Sequence, residues 1–166
     1  ADCEFCIRAD TMKRIEGLID VIKLCVRNAE QLTGAKADIS WGEISAERYP
    51  NRPMCQAFKD NMETLGIEMK WPDPKAQYGS SDIGNVSIKI PAIHDYLSIT
   101  DDKTIQAHTK EYADAAKSEE AQEICLKGAK GLAMTGYDIL SSDEFQAEIR
   151  RFHEQQIPDF YKEKKS

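Results

Sequence analysis

Residues 77–96 of the chain read QYGSSDIGNVSIKIPAIHDY, and the interpretation of the whole sequence depends on this stretch. A turn of glycines and small polar residues, 79–85, leads into apolar side chains that predict a β-strand over residues 85–90. Residues Ile93–Ile99 predict a second short strand. The stretch therefore raises the question of whether its polar turn only connects two elements or also binds a ligand.

The composition of the turn allows both answers. Two glycines and small polar residues let backbone N–H groups converge on an anion. However, no Gly-Lys-Ser/Thr follows, and the turn precedes a predicted strand rather than a helix. The known nucleotide-binding patterns are therefore excluded. Spacing alone favours an ordinary turn over a ligand site.

Upstream of this stretch, the chain alternates between strand and helix patterns. Residues 3–9 and 36–44 show the period-two alternation of half-buried strands. Between them, apolar residues at helical spacing predict a helix that begins at Asp10 or Thr11 and ends at Thr33, before Gly34. Further short strands and helices follow, so we expect an α/β (α+β) protein. The later helices are predicted over 51–65, 108–116, 118–140 and 141–156, with Asn51, Ser118 and Ser141 as N-terminal caps.

The bulk composition excludes several classes of function. The 166 residues carry a net charge of −7 with a pI of about 5.0, which disfavours broad nucleic-acid binding. The sequence has no run of 18 apolar residues, so it predicts no membrane span. Five scattered cysteines fit free thiols in a reducing compartment, and we expect a cytoplasmic protein. Cys3 and Cys6 form a Cys-x-x-Cys, but their place in an alternating strand pattern argues against a redox or zinc site.

The three histidines stand alone in the sequence. His108 follows a loop and starts a predicted helix, His94 follows a strand, and His153 lies in the last helix, where we expect it to be exposed. A lone histidine is most often a surface or cap residue, although imidazole is also the commonest metal ligand. No pair of carboxylates has a spacing that indicates acid–base catalysis.

Four segments taken together carry a resemblance to a known family. They are Gly-Ser-Ser-Asp-Ile-Gly-Asn-Val-Ser at 79–87, Ile-Pro-Ala-Ile-His at 90–94, His-Thr-Lys-Glu-Tyr-Ala-Asp-Ala-Ala at 108–116 and Ala-Lys-Gly-Leu-Ala-Met-Thr-Gly at 129–136. In this order, residues 77–140 resemble the C-terminal region of the metal-dependent amidohydrolases and peptidases. This broad group includes the aminoacylases and glutamate carboxypeptidases, and the branch that the segments resemble most is that of the aminobenzoyl-glutamate utilisation proteins.

The resemblance implies a fold in two parts. Residues 1–48 resemble the second half of a four-stranded lid or dimerisation domain, as strand–helix–strand, and residues 49–166 the C-terminal part of an α/β catalytic domain. The family holds two divalent ions, commonly zinc, cobalt or manganese, and hydrolyses amide bonds of N-acyl or N-aroyl amino acids or small peptides. His108 matches its last metal ligand. The loop that matches its substrate pocket contributes Gly79, Ser80, Ser81, Asp82, Gly84 and Asn85.

The family's other ligands and its general base have no counterpart in the chain. A catalytic zinc needs about three protein ligands, so we expect the chain by itself to be inactive and assign it no catalytic residue. Half a lid would leave an open sheet edge, and we expect it to pair with a second copy or with an N-terminal partner chain. The alternative is a non-catalytic dimerisation or small-ligand-binding module. An anion-binding module unrelated to the family is a third interpretation.

Overall fold

The computed structural model describes residues 2–73 and 79–162, and the regular structure in these ranges is helical. The helices are α1 Met12–Thr33, α2 Arg52–Thr64, α3 Ile83–Ser87, α4 Lys110–Ala115, α5 Glu119–Ser141, α6 Asp143–Gln156 and α7 Asp159–Lys162. None of them is long and apolar enough to cross a membrane. Residues 74–78, which include the first two of the quoted stretch, lie outside the described ranges.

Most helix ends lie where their capping residues predict. The side chains of Asn51 and Ser118 accept hydrogen bonds from the backbone N–H groups of Met54 and Ala121, at the starts of α2 and α5. Gly34 ends α1 in the left-handed conformation, with φ of 71°. These predictions are confirmed. Sequence was sufficient for them because a cap is a contact between residues only three or four positions apart.

Two predicted helix starts were wrong by a residue or two. Ser142, rather than Ser141, caps α6, and its hydroxyl accepts from the N–H of Phe145. The helix predicted from His108 begins at Lys110, because the side chain of Thr109 takes the capping position. Neighbouring hydroxyl residues compete for one cap, and sequence spacing alone does not separate them.

The core lies where α2, α5 and α6 pack against one another. Met62 of α2 is fully buried, and its side chain occupies the space beside Gly131 of α5. Asn51, also fully buried, donates a 2.9 Å hydrogen bond from its side-chain amide to the carbonyl of Ile149 in α6. Asn51 therefore caps one helix and joins it to another.

The expected α/β architecture, with half of a four-stranded lid, was wrong for the described residues, because none of them belongs to a strand. The strands predicted over 3–9, 36–44 and 93–99 are irregular segments. Alternation shows which face of a strand could be buried, but a strand forms only with a neighbour that completes its hydrogen bonds. Phe5, Ile39 and Trp41, which were expected on the buried faces, are instead exposed.

The strand predicted over residues 85–90 was also wrong, because a helical turn occupies its first half. Helix α3 begins at Ile83, and the N–H groups of Ile88 and Ile90 donate to the carbonyls of Gly84 and Val86. Side-chain contacts to a distant segment hold this turn, as described below. Long-range contacts have thus overridden the local strand pattern.

Helix α1 has no buried residue. The apolar stripe that predicted this helix leaves Leu18, Cys25 and Leu32 exposed. The sheet edge through which we expected pairing does not form in the described residues. Association with a second copy or with an N-terminal partner stays a prediction, as does the division of the chain after residue 48.

Candidate functional site

The predicted substrate loop runs over the surface and ends in α3. Gly79, Ser80 and Asp82 are exposed, Ser81 is half-buried and Gly84 is buried. The hydroxyl of Ser81 lies 3.4 Å from the N–H of Ile83. The first half of the loop therefore presents polar groups to solvent, and the second half packs against the rest of the protein.

Asn85 and Ser87 connect this loop to the segment of residues 44–49. The side chain of Asn85 accepts from the N–H of Ala46 at 2.8 Å and donates to the carbonyl of Ile44 at 3.0 Å. The hydroxyl of Ser87 accepts from the N–H of Tyr49 at 3.0 Å. The amide of Asn85, predicted to face a substrate, thus satisfies backbone groups of a distant segment.

Gly84 is required for this contact. A Cβ atom at this position would overlap the carbonyl oxygen of Ala46 and lie 2.7 Å from its carbonyl carbon. Only a residue without a side chain allows two backbones to approach so closely. Its φ is not in the left-handed region, so the reason for glycine here is space and not conformation.

The segment of residues 44–49 also carries a half-buried hydrogen-bond cluster centred on Glu47. Its carboxylate accepts from the hydroxyl of Tyr161 at 2.6 Å, the hydroxyl of Tyr49 at 2.8 Å and the N–H of Met12 at 2.9 Å. The cluster joins the start of α1 to α7 near the other end of the chain. Sequence analysis missed it, because no local pattern relates residues 114 positions apart.

The cluster shifts the pKa values of its members. Burial acts to raise the pKa of Glu47, but its hydrogen bonds from Tyr161, Met12 and Tyr49 outweigh burial, and the pKa lies below its ordinary value. Burial and the hydrogen bond to Glu47 raise the pKa of both tyrosines above their ordinary value. At neutral pH the cluster is one carboxylate with two neutral phenols.

We predict that this cluster makes stability depend on pH at both ends of the scale. The lowered pKa of Glu47 contributes stability above the unfolded value of about 4.3, and this stability is lost as the pH falls below it. The raised tyrosine pKa values contribute stability that is lost as the pH rises above about 10.

Urea unfolding from pH 3 to 7 is the measurement. The free energy of unfolding should fall less on acidification in Glu47→Gln than in wild type. Glu43→Gln, at an exposed carboxylate, should retain the wild-type profile, and equal profiles for both variants would contradict the prediction.

His108, the predicted metal ligand, lies on the surface between a turn and α4. Its backbone is in the left-handed region, with φ of 66°. An open surface depression of about 310 Å³ lies beside it in the chain, lined by Thr104, Ile105, Gln106, Thr109 and Glu111. No hydrogen bond in the described part of the chain joins His108 to the loop of residues 79–85.

A metal ion needs several ligand side chains close together. Within residues 2–73 and 79–162, no three His, Cys, Asp or Glu side chains are grouped so that they could hold an ion. An exposed imidazole suits one ligand position, since histidine binds zinc through a neutral ring nitrogen. His108 therefore fits as a single ligand, and these residues do not complete an ion site.

The other two histidines have different surroundings. His94 is exposed, and its ring stacks on Tyr96 with centroids 4.9 Å apart. The expectation that His153 is exposed was wrong, because it is half-buried with Nε2 2.9 Å from the carbonyl oxygen of Ser87. His153 thus joins α6 to α3.

A second depression, of about 210 Å³, contains a carboxylate in an apolar setting. Its lining is Phe58, Ile93, His94, Asp95, Leu97, Gly128 and Leu132. Burial raises the pKa of Asp95, whose Oδ2 has no hydrogen-bond partner among the described residues. Burial and the adjacent Asp95 raise the pKa of Cys55 to about 12. A thiol with such a pKa is not a nucleophile at neutral pH.

Comparisons with known proteins support the family resemblance. No protein-family profile matches the chain. The chain is 36% identical over 150 residues to the Xaa-Arg dipeptidase of Mus musculus, an alignment that covers 87% of this chain and 34% of that protein. It is also 36% identical over 146 residues to the Xaa-Arg dipeptidase of Homo sapiens, covering 86% and 33%. The chain thus spans about a third of the length of the curated relatives it matches. The resemblance is confirmed, and the chain is a relative, over most of its own length, of the metal-dependent amidohydrolase and peptidase family.

Proposed function

We propose that this chain is part of a metal-dependent peptidase that hydrolyses dipeptides or related small amides. The observation that carries the proposal is the 36% identity to two Xaa-Arg dipeptidases over most of the chain. Dipeptides with arginine as the second residue are therefore the first substrates to test, and N-acyl amino acids the second. The family resemblance assigns the metal ligand and the substrate loop within this chain.

In this proposal His108 would be one of the ligands that hold a divalent ion, and the ion would supply polarisation of the amide carbonyl. Zinc, cobalt and manganese are the candidates that the family implies. The polar groups of Gly79, Ser80, Ser81 and Asp82 would contact the substrate. Gly84 and Asn85 act one step further away, because they dock this loop on the segment of residues 44–49.

The chain alone is expected to be inactive. One histidine does not hold a catalytic ion, and the described residues offer no group of three ligands. The remaining ligands and the general base would come from another polypeptide segment. A non-catalytic binding or dimerisation module is the second candidate function. The lack of three grouped ligands in the described residues favours it for the isolated chain.

The test compares His108→Ala with His94→Ala in the natural polypeptide or complex that contains this chain, isolated without denaturation. Both histidines are exposed, so both variants should fold. Loss of a metal ligand should lower ion affinity and Xaa-Arg hydrolysis by at least about 100-fold in His108→Ala, whereas His94→Ala should stay near wild type. Metal content by mass spectrometry and dipeptide hydrolysis are the two measurements.

Each outcome decides between the two candidate functions. Retention of metal and activity in His108→Ala would contradict the role of His108. A complex without metal and without activity toward dipeptides or N-acyl amino acids would favour the non-catalytic module. Hydrolysis by the isolated chain of 166 residues would contradict the expectation that it is inactive alone.

A further inference from the structure

The backbone at His108 is the starting observation. Within the described ranges, His108 is the one residue other than glycine with a positive φ. The left-handed region is unfavourable for residues with a Cβ, and such outliers persist where the surrounding structure holds them in place. His108 is also the residue that the family resemblance singles out. Conformation and sequence thus point independently to the same position.

Thr109 supplies the contacts that span this residue. Its hydroxyl donates a 2.7 Å hydrogen bond to the carbonyl of Gln106 and accepts a 3.1 Å hydrogen bond from the N–H of Tyr112. One hydroxyl can do both, since it carries a donor and two acceptor lone pairs. It therefore joins the backbone before His108 to the first turn of α4 after it.

These two bonds restrain the path of the chain through His108. The carbonyl of Thr109 also accepts the first hydrogen bond of α4, from the N–H of Ala113 at 3.1 Å. Thr109 is thus fixed by its main chain and by its side chain. Its β-branch further restricts the rotation that places the hydroxyl. With both neighbouring backbones held, His108 stays left-handed at the corner between the turn and α4.

We propose that Thr109 is a positioning residue that holds His108 in the left-handed conformation and so presents its imidazole from the surface. The inference rests on the proposed function, in which that imidazole binds a metal ion. It goes beyond the proposed function because it attributes the orientation of the His108 imidazole to the hydroxyl of Thr109. Pre-orientation of a ligand by hydrogen bonds strengthens metal binding.

Three variants separate positioning from simple helix capping. Thr109→Val keeps the shape but removes the hydroxyl, and Thr109→Ser keeps the hydroxyl. Ser118→Ala is the matched control, because Ser118 caps α5 through the same kind of bond, to the N–H of Ala121 at 3.1 Å. Thr109→Val and Ser118→Ala each lose one cap, but only Thr109→Val releases the backbone around His108.

The first measurement is the three-bond H–N–Cα–H coupling and the backbone chemical shifts of His108 by NMR, on the metal-free chain. Both should change in Thr109→Val and stay at wild-type values in Thr109→Ser and Ser118→Ala. The second is the Zn²⁺ affinity of the natural polypeptide or complex. It should fall about 10–100-fold in Thr109→Val and change little in the other two variants.

A further comparison does not depend on whether Thr109→Val folds. Glycine is normally less stable than alanine within regular structure, but this order reverses where φ is positive. The urea midpoint of His108→Gly should therefore lie above that of His108→Ala. The opposite order would show that His108 is not left-handed in solution and would overturn the inference.

The remaining outcomes are equally decisive. Unchanged NMR signals of His108 in Thr109→Val, or equal changes in Ser118→Ala, would overturn the inference. An unchanged Zn²⁺ affinity in Thr109→Val, together with a large loss in His108→Ala, would overturn positioning and leave the proposed function intact. An unchanged Zn²⁺ affinity in His108→Ala would overturn the role of His108 as a metal ligand, and the positioning role of Thr109 with it.

Discussion

Gly84→Ala is expected to destabilise the protein by about 1–3 kcal/mol, because it forces two backbones apart. The new Cβ would lie 2.7 Å from the carbonyl carbon of Ala46 and 3.1 Å from the carbonyl oxygen of Glu47. These are main-chain atoms, which cannot rotate away as the end of a flexible side chain can. The segment of residues 44–49 has to move away from α3 instead.

The sign of this effect is informative. Gly84 lies inside α3, where helix propensity alone favours alanine over glycine by about 1 kcal/mol. A net loss of stability must therefore come from the contact with Ala46 and from the hydrogen bonds that depend on it. Those bonds include the one from the N–H of Ala46 to Asn85 and the one from the N–H of Tyr49 to Ser87.

The matched control lies in the same loop. A Cβ at Gly79 would meet nothing within 4 Å, and its φ is not in the left-handed region. Gly79→Ala should therefore change the free energy of unfolding by no more than about 0.5 kcal/mol. Urea unfolding of both variants is the measurement. Equal effects would show that Gly84 is not packed against Ala46.

Met62→Ala is expected to destabilise the protein by about 2–5 kcal/mol, the largest effect that we predict on stability. Met62 is fully buried between α2 and α5, and its truncation removes buried apolar surface and leaves a cavity. Single domains are stable by only about 5–15 kcal/mol, so this variant should unfold at a much lower urea concentration. Leu140→Ala is the control, because that side chain is 82% exposed.

A double variant tests whether the cavity lies where the structure places it. A Cβ at Gly131 would overlap Sδ of Met62 and lie 3.1 Å from a ring carbon of Phe58. Gly131→Ala alone should therefore destabilise the core. In Met62→Ala/Gly131→Ala the new methyl enters the space that Met62 has left. The double variant should therefore be destabilised by about 0.5–3 kcal/mol less than the sum of the two single variants. Additive effects would contradict the contact between these two residues.

Most of the helices and the family relationship could be predicted from the sequence. Asn51, Ser118 and Gly34 mark helix ends through contacts with residues three or four positions away, so their identity and spacing are sufficient. The order of the segments between residues 77 and 140 indicated the family, which the comparisons confirm. His108 came from that resemblance, and its role as a ligand stays a prediction.

Other features depended on contacts between segments that lie far apart in the chain. The alternating residues 3–9 and 36–44 predicted strands, but a strand requires a pairing partner, and none forms in the described residues. Gly84 looked like part of a flexible turn, although its neighbour in space is Ala46. The cluster around Glu47 joins residues that are 35 and 114 positions apart. Sequence spacing carries information about neighbours within a few residues, whereas burial and hydrogen bonding at these positions are decided by which segments the folded chain brings together.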